Sequence, residues 1–261
     1  MKSVDPGNSM PNHEKRVDKE TMHEQIRSFK KENNIKKMVG LMMLHYFKWP
    51  WCLQDLTRYV DEIYLLIHYS PEFRADWPQK VEKVVRYEEI SIDHEWQVME
   101  WRENQAVFRD RLLRMVDGCR PDLVLFPDED ESFPEPHILA NDLKRFVRSR
   151  KQQLAFKRCN FWDSMDTVRK DKWIYYGPHV KVYKWKPGLS YIPYSGFNRV
   201  ATYGKDRLVS RSVMKHYAYM EKSERERRYN DLYREKQQTF KGLIGKPKLV
   251  AYTDARKAPR T

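Results

Sequence analysis

The sequence is poor in cysteine and has nothing long and apolar enough to cross a membrane. Cys52, Cys119 and Cys159 are the only three thiols in 261 residues, and they lie far apart. Their odd number and wide spacing offer neither a CxxC metal knuckle nor a disulfide framework, and fit reduced thiols. A membrane helix needs roughly 20 apolar residues. The longest apolar stretch, Met38 to Phe47, is already interrupted by Gly40 and His45. The first 20 residues contain no hydrophobic signal core. The expectation is therefore a soluble, cytoplasmic protein with no membrane span. Acidic balance is missing as well: 50 Lys and Arg against 37 Asp and Glu leave a formal charge of +13. That excess suggests an anionic partner, whether nucleic acid, a phosphorylated substrate or an anionic surface. Eight Trp, 16 Tyr and 11 Phe supply enough apolar surface for a core, which excludes a wholly disordered basic chain. At about 150 residues per domain, the length predicts one large domain or one with appendages. There is no internal repeat.

Residues 1–35 are polar and read as a mobile end followed by a helix over Lys19 to Asn34, outside the main core. From Lys36 the texture changes. Met38–Leu44 and Glu62–Ile67 are short apolar runs with the look of strands buried on both faces, and Lys83–Tyr87 is a third, weaker strand. Trp51–Val60 reads as a helix between the first two. The clearest helix spans roughly His94 to Val116, with Trp101, Phe108, Leu112 and Met115 at helical spacing and Asp117-Gly118 as its stop. A further strand, Asp122–Phe126, follows. Strand and helix in alternation predict an α/β fold with parallel pairing and helical crossovers. Beyond Pro136 the pattern loosens. A basic helix over Asn141–Arg150 precedes strand-like pieces at Gln153–Phe156, Val180–Trp185, Asn198–Thr202 and Leu208–Tyr217. Ser223–Gln238 reads as a charged, solvated helix, and the tail after Gly242 as irregular.

Asp122–Phe126 runs straight into Asp128-Glu129-Asp130-Glu131. In open α/β sheets, ligands gather at the carboxyl ends of strands. Adjacent carboxylates repel one another unless a cation or solvent neutralises them. Oxygen-only ligands favour Mg²⁺ or Mn²⁺ over thiolate-loving metals. An isolated acidic run is ordinarily a solvated turn. The buried strand leading into this one points instead to a ligand site.

The ordered set MVGLMML, VDEIYLLIHYS, ENQAVFRDRLLRMV and DLVLFPDEDE, within about 180 residues from Lys36 to His216, resembles family 2 glycosyltransferases of the GT-A fold. The resemblance implies a mostly parallel, Rossmann-like sheet flanked by helices, with a less regular, basic acceptor-side region. It divides the chain into an N-terminal extension (1–35), a catalytic domain (36–220) and a basic C-terminal helix and tail (221–261). Within the catalytic domain, 36–135 would be the nucleotide-sugar half and 136–220 the acceptor half. It implies a metal-dependent, inverting transfer of a sugar from a nucleotide-sugar donor, most simply a UDP-sugar, to a hydroxyl. Asp128-Glu129-Asp130-Glu131 matches the family's DxD motif and its DxDE extension. Asp130 would ligate the metal, Asp128 would meet the ribose or the metal through water, and Glu131 would orient the donor or shape the acceptor side. His216 stands where many relatives carry a further metal ligand; a strand histidine satisfied by the backbone is the competing reading, and His137 and His179 are weaker candidates.

His68 stands where relatives carry a base-reading Asp, which leaves the nucleotide open. Tyr46 reads as a base-stacking aromatic or as core. Arg109 and Arg111 read as diphosphate ligands or as a solvated helix face. Inversion needs a general base near the acceptor. Asp163, after the aromatic pair Phe161-Trp162, is the first candidate, followed by Asp166 and then Asp171; Asp163 and Asp166 read equally as caps of a helix beginning near Ser164.

Residues 141–158 hold seven Lys or Arg against one acid, and residues 205–261 hold 16 basic against seven acidic side chains. With interleaved Trp162, Trp173, Tyr175, Tyr176, Tyr183 and Trp185, this charge suits a polyanionic acceptor, including DNA whose hydroxylated bases receive a sugar. It suits a solvated basic surface equally. Two other classes share the same residues: a Mg²⁺- or Mn²⁺-dependent nuclease, and a non-catalytic nucleic-acid-binding protein.

Overall fold

The computed structural model describes residues 19–45, 50–69, 78–91, 101–169, 178–192, 199–200, 206–227, 229–230 and 248–252. The expectations for Tyr46, Asp171, Trp173, Tyr175 and Tyr176 lie outside these residues.

Five helices are described: α1 (Lys19–Glu32), α2 (Pro50–Leu56), α3 (Trp101–Met115), α4 (Pro136–Arg148) and α5 (Lys222–Arg227). The first strands are β1 (Met38–Leu44), β2 (Glu62–Tyr69), β3 (Val84–Ser91), β4 (Leu123–Leu125) and the short β5 (Glu131–Ser132). They are followed by β6 (Gln153–Trp162), β7 (Ser164–Arg169), β8 (His179–Lys184), β9 (Tyr191–Ile192), β10 (Arg199–Val200), β11 (Leu208–His216) and β12 (Leu249–Ala251). The result is a mixed α/β protein with one large, mostly parallel sheet flanked by helices.

β1 pairs in parallel with β2 on one side and β4 on the other, and β2 pairs in parallel with β3. The chain thus runs outward from β1 through β2 to β3, then returns to lay β4 on the opposite side of β1. That reversal makes the carboxyl ends of β1 and β4 a topological switch point, the place where open α/β sheets bind ligands. The sheet then continues through β8, antiparallel to β4, to β6, antiparallel to β8. β11 runs parallel beside β6, and its last two residues pair antiparallel with β5. The looser second half of the sequence therefore extends the same sheet. The strand-like pieces Gln153–Phe156, Val180–Trp185, Asn198–Thr202 and Leu208–Tyr217 fall on β6, β8, β10 and β11, while β7 and the latter part of β6 are not expected as strands.

Period-two alternation divides the core. Met38, Met42 and Leu44 of β1 face one way, among Ile26 and Phe29 of α1, Leu53 and Leu56 of α2, and Leu139, Leu143 and Phe146 of α4. Val39 and Leu41 face the other, against Ala106, Leu112 and Leu113 of α3. α1 is thus part of the core and not outside it. Its polar sequence hides two buried anchors. Gly40 permits the close seating of α2, since a Cβ there would stand 2.8 Å from a Leu56 methyl.

Two of the alternative readings fail. Residues from Ser164 form β7, in a hairpin with β6, so neither Asp163 nor Asp166 caps a helix. The acidic run after β4 is not a solvated turn: Glu129, Asp130 and Glu131 are all buried.

Candidate functional site

The charged residues that the sheet buries collect at one edge, where β1, β2 and β4 end and the antiparallel β8 begins. β4 ends in Phe126-Pro127-Asp128. The Glu131 N–H donates to the Asp128 carbonyl at 3.0 Å, and the Asp128 N–H donates to Glu131 Oε2 at 2.9 Å. These bonds close a tight turn in which successive carboxylates point to different neighbours. Glu129 accepts the His45 N–H at 2.9 Å, which ties the end of β1 to the acidic turn.

Asp128 lies between two buried cations. Arg109 of α3 bonds its Oδ1, and Lys181 of β8 donates to its Oδ2 at 2.7 Å. Desolvation alone would raise the Asp128 carboxyl; the charges and hydrogen bonds of Lys181 and Arg109 outweigh it and hold the carboxyl well below its usual range. Asp128 is therefore an ionised acceptor, with its side chain 31% exposed. Arg109 is itself caged by aromatic rings, 4.9 Å above Phe126 and 5.9 Å from Tyr191. Arg111, two residues on, is exposed and paired with Glu88. The solvated-face reading thus holds for Arg111 and fails for Arg109.

Glu131 departs from what the resemblance implies. It is 0% exposed, with Lys181 at 2.6 Å on one oxygen and Arg158 of β6 at 3.3 Å on the other. So enclosed, it organises the acidic turn and has no open face toward a donor. Arg158 donates in turn to His179 Nε2 at 2.8 Å. Burial, together with Arg158 and Lys181, pushes the His179 imidazole down to about 2. It is a neutral acceptor for the guanidinium at any working pH.

Asp130 takes a different neighbour. The register of β11 sets His216 opposite Glu131 of β5 and beside Asn160 of β6. His216 Nε2 lies 3.7 Å from Asp130 Oδ1, and His216 Nδ1 is 2.6 Å from Asn160 Oδ1. An amide oxygen only accepts, so Nδ1 carries a proton, and Nε2 is the ring nitrogen turned toward the carboxylate. The register thus brings an imidazole nitrogen and a carboxylate oxygen from distant parts of the chain to one spot. Among the described residues no group of three or more His, Cys, Asp or Glu converges on a metal position. His137 is exposed on the first turn of α4, away from this pair.

His68 of β2 is buried, and its ring stacks on that of His45 with centroids 4.3 Å apart and 23° between the planes. The Nδ1 atoms of the two rings are also in contact, which joins the ends of β1 and β2. Asp163 and Asp166, expected near the acceptor, lie on the β6–β7 hairpin. Asp163 pairs with Arg225 at 2.7 Å and Asp166 is exposed. Phe161 and Trp162 are buried and do not floor a pocket.

Among the described residues, part of the basic excess of the second half is spent on ion pairs. Lys144 pairs with Glu32, Arg145 with Asp142, Lys151 with Asp206, and Lys215 with Glu135. Lys181 and Arg158 escaped sequence reasoning. The one signal for Lys181 is alternation along His179-Val180-Lys181-Val182-Tyr183, which puts a His and a Lys in phase with a buried Tyr.

No protein-family model matches the chain, and no curated protein matches it.

Proposed function

We propose that this protein is a metal-dependent glycosyltransferase of the GT-A type, moving a sugar from a nucleotide-sugar donor to a hydroxyl acceptor. The observation that carries the reading is the convergence of Asp130 and His216. They are nearly 90 residues apart in sequence, yet meet at 3.7 Å at the ligand-binding edge of a mostly parallel sheet. The topological switch point beside them and the stacked His45–His68 rings suit a nucleotide laid across the carboxyl ends of β1 and β4.

The donor set fits a divalent ion. A carboxylate and an imidazole whose far nitrogen is fixed by an amide oxygen form a known ligand arrangement with its supporting partner. Two protein ligands leave the remaining coordination positions to diphosphate oxygens and water, as Mg²⁺- and Mn²⁺-type ions accept. Asp128 is not a metal ligand in this scheme, because Arg109 and Lys181 occupy its oxygens. When bound, the ion neutralises the charge that develops on the diphosphate leaving group.

The chain's own residues do the rest. Asp128, kept ionised, accepts a donor hydroxyl on its exposed side. Arg109 and Lys181 hold that carboxylate in one orientation. Glu131 locks Lys181 and Arg158 in place, and neutral His179 steadies Arg158 without adding charge near the diphosphate.

A donor-hydrolysis screen across UDP-, GDP- and TDP-sugars with Mn²⁺ tests the reading. Asp130→Ala and His216→Ala are each expected to lower turnover at least 100-fold, with far-UV circular dichroism unchanged. Full turnover by Asp130→Ala rejects the assignment. Strand cleavage of DNA by the wild-type protein with Mn²⁺ and no donor replaces it with a nuclease.

A further inference from the structure

Downstream of β11 the chain stays at the site. The Tyr217 N–H donates to the Asp130 carbonyl at 2.8 Å, and the Met220 N–H to the Tyr217 carbonyl at 2.9 Å. Residues 217–220 thus turn back against the acidic loop. The Tyr219 ring packs edge-on to the His216 imidazole, with centroids 5.2 Å apart and planes at 73°.

Arg225 of α5 holds this turn. Its Nη1 donates to the carbonyls of Tyr219 at 2.8 Å and Met220 at 3.0 Å. Its Nη2 donates to Asp163 Oδ1 at 2.7 Å. Its guanidinium lies 4.2 Å over the Trp162 ring, which Arg169 also approaches at 4.7 Å. The Asp163 N–H closes the circuit on the Met220 carbonyl at 2.9 Å. Arg225 is buried, whereas the Asp163 side chain is 57% exposed. Asp163 also adopts φ 62°, a left-handed conformation disfavoured for any residue with a Cβ. The hairpin turn carries that cost while presenting its carboxylate to the guanidinium.

We infer that Arg225 is a positioning residue for the Asp130–His216 pair, joining the turn behind the imidazole to the β6–β7 hairpin, with Asp163 as its anchor and not a general base. The inference rests on reading that pair as a metal site. A ligand imidazole must be held to a few tenths of an ångström, and loss of an outer partner typically weakens metal binding 10–100-fold. The planar fork of Arg225 meets two carbonyls, a carboxylate and an indole face together; an ammonium cannot.

The full chain, labelled with ¹⁵N-histidine, is compared as wild type, Arg225→Lys and Asp163→Asn. One readout is Mn²⁺ affinity in the presence of UDP, by electron paramagnetic resonance. The other is the Nδ1 and Nε2 resonances of His216 without metal. Arg225→Lys is expected to weaken Mn²⁺ binding about 10-fold and to shift or broaden the His216 signals. Asp163→Asn, at an exposed site compatible with folding, is expected to do the same to a smaller extent. Wild-type affinity and wild-type His216 signals in Arg225→Lys overturn the proposal even if its melting temperature falls, because a merely structural arginine moves only the melting temperature. If Arg225→Lys does not fold, unchanged signals and affinity in Asp163→Asn overturn it. A wild-type protein that takes up no Mn²⁺ refutes the metal reading alone, and the His216 signals still decide whether Arg225 orients the ring.

Discussion

Glu131 carries its charge into a place with no solvent contact, and Lys181 and Arg158 follow it there. Burying such a cluster is costly unless every member is paired, so each of these side chains constrains the others. His179 completes the set as a neutral acceptor, and its titration has a measurable consequence. In the unfolded chain an imidazole titrates near 6.5, whereas here burial, Arg158 and Lys181 hold it down to about 2. Between those values the unfolded state binds a proton that the folded state refuses, so stability falls as pH drops below about 6.5, by up to about 1.4 kcal/mol per pH unit. Asp128 acts lower: its depressed carboxyl stabilises the fold fully above about pH 4 and loses that contribution only as pH falls further. Loss between pH 6.5 and 5 therefore comes from lowered imidazoles and not from Asp128: His179, and also His23, which burial and the nearby Lys83 lower as well. His179→Gln, which keeps an acceptor for Arg158, is expected to flatten the decline in urea midpoint across that window. A decline as steep as that of the wild type would mean that His179 is not held neutral. Arg109 carries a sequence signal that went unread. It is in helical phase with the buried Ala106, Leu113 and Val116, while Arg111 is not. A lone arginine in the apolar stripe of a helix marks a buried counter-ion. Its partner, Asp128, is visible only in three dimensions.

At the scale of elements, β1, β2, β4 and α3 are legible because each has one simple period or an unbroken apolar run. The strands of the second half are legible in part: Val180–Trp185 and Leu208–Tyr217 fall on β8 and β11, but Gln153–Phe156 covers less than half of β6, and β7 reads as a helix start. β6, β8 and β11 mix Lys, Arg, His and Asn with apolar residues, since their ends furnish the site, and a bulge between Val209 and Val213 breaks the alternation of β11. The β6–β7 hairpin resembles a helix start because Asp163 and Ser164 are good caps as well as good turn residues. α1 is the instructive miss. Its charged sequence reads as solvated, but Ile26 and Phe29, three residues apart, reach the same cluster as Leu143 and Phe146 of α4. Phe29→Ala should thus destabilise the whole protein by about 3–5 kcal/mol, as for other large-to-small core changes. Chemical denaturation of the full chain reads this directly. A cost under about 1 kcal/mol would return α1 to the periphery.

At the scale of the whole molecule, the +13 net charge misleads about the site. Around the acidic turn stand four carboxylates, Asp128 to Glu131, and three cations, Arg109, Arg158 and Lys181, which on the proposed function leaves one negative charge beside the donor's diphosphate. Such a site repels the bare donor. On the same reading a bare divalent ion would be held poorly, with Asp130 and His216 as its ligands among the described residues. Each ligand supplies what the other lacks: the ion brings positive charge, and the diphosphate brings oxygens for the open coordination positions. Linkage makes this assistance reciprocal, so Mn²⁺ must raise UDP affinity by the same factor as UDP raises Mn²⁺ affinity, typically about 5–150-fold for coupled sites. Calorimetry with UDP, with Mn²⁺ and then with chelator, gives one factor. Electron paramagnetic resonance of Mn²⁺, with and without UDP, gives the other. Equal factors above about 5 are expected. UDP binding that ignores the chelator would separate the nucleotide from the Asp130–His216 pair and leave the buried charges a structural role only.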